Sequence, residues 1–139
     1  IVYYALGDAY SAVEYYEKHL TITREIGDRR GEGNALGNLG IAYKRLGDPY
    51  AAMEHYEQAL AIDRAIGDKI GEANDCWNMG ILFEEQGKFD RAVDLMQVRV
   101  DYLKSIGHAD VDKYVRYLDD VREKLKSACE KAIEDKITL

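Results

Sequence analysis

The feature that most constrains this chain is a repeat. Shifted by forty residues, the sequence aligns Leu6-Gly7-Asp8 with Leu46-Gly47-Asp48, and Ile26-Gly27-Asp28 with Ile66-Gly67-Asp68 and then Ile106-Gly107-His108. Roughly half of residues 1–40 recur at 41–80. A fixed period of this length is the mark of a solenoid, whose units bury their apolar faces only against their neighbours.

Within one period the punctuation reads helix, turn, helix, turn. Glu32 to Leu46 is periodic, Gly47-Asp48-Pro49 interrupts it, and Tyr50 to Ile66 is periodic again until Gly67-Asp68. Gly47 and Gly67 suit the left-handed position that ends a helix, and Pro49 suits the first turn of the next. One proline and few Thr or Phe residues favour helix over sheet. Leu36, Leu39, Ala42, Tyr43 and Leu46 form an apolar stripe on the leading helix. Ala52, Met53, Tyr56, Ala59, Leu60 and Ala61 or Ile62 form one on the second. Ala52 and Ala59 allow close approach, so each unit is an all-α hairpin that stacks to make a core.

The residues Leu39-Gly40-x-x-Tyr43 followed by Ala52-x-x-x-Tyr56 resemble the tetratricopeptide repeat signature. Met79-Gly80-x-x-Phe83 with Ala92-x-x-x-Met96 is a looser copy, and Tyr3 with Ala12-x-x-x-Tyr16 is a copy whose leading helix is cut to about two turns, ending at Gly7-Asp8. The forty-residue period and the Gly-Asp-x-x-Gly-Glu links at Gly27–Glu32 and Gly67–Glu72 are similar to the repeats of Pins/LGN polarity adaptors and of prokaryotic signalling proteins. The resemblance implies a right-handed α-solenoid. Its array covers residues 1–108, with a partial first repeat at 1–28, a second at 29–68 and a third at 69–108. Residues 109–139 keep three-four spacing from Val111 to Ile137, which predicts one long helix whose first half caps the array and whose tail is free to project, to pack on the convex side, to pair with another tail or to fold back into the groove.

The four glycines between Gly33 and Asp48 need a reason, because an interior glycine costs a helix about 1 kcal/mol against alanine. Gly40 and Gly80 match the small position where the leading helix presses on its partner. Gly33 and Gly37 are not explained by that packing, and the expectation for them is a notch for a ligand side chain, walled by Trp77. The alternative is that Trp77 packs into the next hairpin.

In the family, the leading helix of each hairpin lines the inner surface. The matching positions here are Asn34, Gly37, Asn38, Ile41, Lys44 and Arg45 in the second repeat, and Asn74, Trp77, Asn78, Ile81, Glu84 and Glu85 in the third. The first-repeat remnant offers Ile1, Tyr4 and Ala5. Asn34 with Asn74, and Asn38 with Asn78, recur at the repeat shift although asparagine is a poor helix former. A carboxamide donates and accepts, as an extended peptide backbone does, so the ladder suits a bound main chain. Solvated amides, or bonds between adjacent helices, are the alternative. The adjacent Glu84 and Glu85 read as a solvated face.

The expected function is a non-enzymatic scaffold for a partner protein's peptide or helix, the runner-up being a sensor segment of a larger signalling protein. No phosphate loop, nucleophile elbow or metal-ligand spacing points to catalysis, and no cofactor is implied. A net charge of −7 speaks against nucleic acid as the main partner. No apolar run has the length of a membrane span. Cys76 and Cys129 lie far apart without disulfide-like spacing, which fits a reducing, cytoplasmic setting. Contact with another chain is expected over Ala12, Val13, Tyr16 and Leu20, so self-association would run through this truncated repeat or through the C-terminal helix.

Overall fold

The computed structural model describes residues 2–138, with side chains from residue 7 onward. Ile1, Tyr3, Tyr4 and Ala5, expected on the first-repeat remnant, lie outside the described side chains. Six helices follow one another, with no strand among the described residues: α1 (Val2–Ile26), α2 (Arg29–Arg45), α3 (Pro49–Ile66), α4 (Lys69–Glu85), α5 (Phe89–Ser105) and α6 (Val111–Ile137). The chain divides into two compact units, Ile1–Asn78 and Met79–Leu139.

The turns come every twenty residues and are built alike. Gly27, Gly47, Gly67, Gly87 and Gly107 all take positive φ, between 63 and 79°. At each, the glycine N–H and the next residue's N–H reach back to the carbonyls three and five residues earlier; Gly47 to Lys44 is 3.0 Å and Asp48 to Tyr43 is 3.0 Å. This paired closure satisfies carbonyls that a helix end leaves open. The aspartate after the glycine then starts the next helix. Asp28 accepts from the Gly31 N–H at 2.9 Å, Asp48 from Ala51 at 3.0 Å and Asp68 from Gly71 at 3.0 Å. Gly-Asp therefore stops one helix and caps the next within two residues.

One expected turn is absent. α1 runs unbroken through Gly7-Asp8, and Gly7 is not among the positive-φ glycines. A Gly-Asp pair permits reversal without compelling it. Continuing costs only the helix penalty of one glycine.

In the first unit, Leu20, Ala35, Leu36, Leu39, Ala59 and Ile62 form the buried cluster, with Val13, Tyr16, Tyr43 and Ile66 packed against it. The stripe expected to meet another chain is thus largely met by α2. At Gly40 the α3 side chain Tyr56 presses directly on α2: a methyl group there would stand 2.5 Å from the Tyr56 ring. In the second unit Ala92, Met96, Val100 and Leu103 of α5 are buried, as are Leu118 and Val121 of α6. Gly80 makes the same close approach, 2.8 Å from Met96 Cγ to the missing methyl. Arg99, which replaces the small Ala59 of the preceding repeat, lies over the Tyr114 ring at 4.4 Å and donates to its hydroxyl at 3.0 Å. A cation on an aromatic face thus takes the place of small-residue packing. Beyond Leu125, every described residue of α6 is exposed, Ile137 at 78%.

Candidate peptide-binding face

The residues singled out on α2 and α4 share a face because positions three and four apart align along a helix. In the first unit, the structure draws five of them around two cavities. One, of about 350 Å³, is lined by Ile41, Lys44, Arg45, Tyr56 and Asn78. The other, of about 200 Å³, is lined by Ala9, Ala12, Tyr16, Asn38, Ile41, Ala42 and Arg45. Ile41 and Arg45 line both, so α2 is a ridge with a hollow on either side. Each hollow carries one amide, Asn38 or Asn78, against an apolar floor with a cationic rim. Asn34 and Asn74 are exposed further along the same helices.

The other expected residues go elsewhere. Trp77 is 7% exposed, so its indole belongs to the packing and does not stand open as the wall of a notch. A bulky apolar ring gains more from burial than from forming a wet rim. The space beside Gly33 and Gly37 is also occupied. A methyl on Gly33 would lie 2.7 Å from Asp63 Oδ1, and one on Gly37 would lie 3.3 Å from Asp75 Oδ1. These glycines therefore make room for two buried carboxyl groups, which is the correction to the notch expectation.

Ile81, Glu84 and Glu85 belong to the second unit. Glu84 is not solvated as expected: it accepts from Tyr117 at 2.5 Å and pairs with Lys124 at 2.9 Å, its side chain only 11% exposed. A carboxylate beside two α6 donors is held more firmly than by water. Burial, then the Glu84 hydrogen bond and charge, push the Tyr117 hydroxyl up to about 12. Glu85 is exposed.

Sequence reasoning assigned Tyr56 to the core stripe and missed that its ring also floors a cavity. It missed Tyr16 in the same way, since a single face pattern does not show which core residues border an opening. The Asp63–Asp75 pair was legible in principle, because each aspartate interrupts a position that is apolar or small in another repeat.

Residues 1–65 match the family model described as tetratricopeptide repeat. That segment carries tetratricopeptide-repeat sequence. No curated protein matches it. Tetratricopeptide repeats mediate protein–protein interactions and form a non-catalytic scaffold. The helical hairpins and the buried Gly40–Tyr56 contact fit that family's two-helix unit. Among the described residues, no helix is long and apolar enough to cross a membrane, and no group of three or more His, Cys, Asp or Glu is placed to hold a metal ion.

Proposed function

We propose that the α2 ridge and its two hollows bind an extended segment of a partner protein. Asn38 and Asn78 hold the segment's main chain, each offering a donor and an acceptor to successive peptide groups. The larger hollow, floored by Ile41 and Tyr56, takes an apolar side chain, and Lys44 and Arg45 favour a ligand with carboxylates nearby. Asn34 and Asn74 extend the amide ladder along the same two helices. The observation that supports this reading is the sharing of Ile41 and Arg45 by two hollows that each present one asparagine.

Peptides selected from a random display library against the intact chain test it. The reading expects a consensus with an apolar residue close to Asp or Glu. The Asn38→Ala, Asn78→Ala double variant should bind the selected peptide about 10- to 100-fold more weakly, from two lost hydrogen bonds of about 1 kcal/mol each. Unchanged affinity in a variant that melts like the wild type would overturn it.

A further inference from the structure

Two positions of the buried packing are acidic together. At the forty-residue shift, Asp63 stands where the other repeats have Thr23 and Leu103, and Asp75 stands where they have Ala35 and Val115. Asp63 on α3 is 3% exposed and Asp75 on α4 is 5% exposed. Their carboxyl groups lie within hydrogen-bonding reach of each other. Asp63 Oδ1 and Asp75 Oδ2 nevertheless find no donor. Backbone surrounds them, because Gly33 and Gly37 of α2 and Gly71 of α4 lack the methyl groups that would crowd the two carboxyls.

The charges facing this pair do not neutralise it. From α2, Arg30 favours an ionised Asp63 but is shared with Asp68, which it reaches at 3.1 Å. From α3, Arg64 reaches Glu72 at 3.5 Å, and from α4 Lys69 reaches the same Glu72 at 3.4 Å. Asp68 and Glu72 add negative charge to the surroundings of Asp63, and Cys76 is a buried thiol pushed up to about 11 by burial. Ionised carboxylates only accept hydrogen bonds, so two of them cannot satisfy each other. One proton makes one of them a donor to the other, and removes a buried like-charge pair.

We propose that Asp63 and Asp75 form a proton-binding site between α3 and α4, holding one proton between their carboxyl groups, and that losing this proton loosens α4 from the α2–α3 hairpin. Burial first, then the neighbouring Asp63, pushes Asp75 from the ordinary 3.8 up to about 9, and burial pushes Asp63 upward as well. A carboxyl whose folded value is raised favours the folded state most below its unfolded value. That stability is therefore complete below about pH 4, is lost progressively as pH climbs, and is gone above about pH 9.

Two measurements on the intact chain test the site. Carbon-13 NMR of the side-chain carboxyls should show one aspartate still protonated at neutral pH; titration of every aspartate in the ordinary range overturns the proposal. Thermal melts should show the wild type losing roughly 5–10 °C between about pH 5 and about pH 9. Asp75→Asn, whose amide donates to Asp63 at every pH, and the Asp63→Thr, Asp75→Ala variant should both flatten that slope. An unchanged slope in both overturns the proposal. So does a rise in wild-type melting temperature on adding calcium or potassium chloride at alkaline pH beyond that given by matched sodium chloride, since a cation would then be the occupant.

Discussion

The Tyr56 ring occupies the space that any side chain at residue 40 would need: a methyl group built on Gly40 would lie 2.5 Å from its nearest carbon. Tyr56 is itself 1% exposed, so its ring is part of the packed core. Overpacking of this kind forces backbone shifts. We expect Gly40→Ala to cost about 1–3 kcal/mol in urea unfolding despite alanine's better helix propensity. Gly80→Ala should cost less, because its nearest obstacle is the flexible Met96 side chain.

The aspartate caps differ in what else they hold. Asp48 caps α3 from an exposed position, whereas the buried Asp68 also pairs with Arg30 of α2. Asp48→Ala should cost about 1 kcal/mol, the usual loss for a helix cap. Asp68→Ala should cost more, and chemical denaturation of the two variants side by side measures the difference. Equal losses would mean that Arg30 contributes nothing across this link.

The two cysteines should react at very different rates. Cys76 is fully buried and burial pushes its thiol up to about 11, while Cys129 is exposed on α6. A disulfide reagent at about pH 8 should modify one thiol promptly and the second only in denaturant, because the thiolate is the nucleophile. Mass spectrometry of the modified peptide should place the fast site at Cys129.

The distal part of α6 contributes little to the folded state, since every described residue after Leu125 is exposed. Removing residues 127–139 should shift the melting temperature by no more than about 2 °C, because surface segments with no buried contacts carry little stability. A large drop would show that the exposed apolar residues Ile133 and Ile137 are covered in solution, by a second copy or another element.

Much of this fold was legible in the residues. The recurring Gly-Asp pairs and Gly107-His108 located the turns at Gly27, Gly47, Gly67 and Gly107, because a left-handed glycine and a capping aspartate act within a few residues of backbone. Gly40 and Gly80 were legible for the same reason: the repeat shift marks a position that must stay small. The same Gly-Asp signal failed at Gly7-Asp8, where α1 runs on through the pair, because the local chemistry permits a turn without compelling one.

The amino-acid order alone determined the period, the helix ends, the all-α hairpins and the candidate amides, since each rests on contacts between near neighbours or on strict recurrence. Only the tertiary structure decided what fills the space beside Gly33 and Gly37, that Trp77 is buried, that Glu84 turns to Tyr117 and Lys124, and that Asn38 and Asn78 open into hollows sharing Ile41 and Arg45. Those outcomes depend on side chains from different helices competing for one volume. A pattern along a single helix records that a position faces inward, but not which neighbour it meets there.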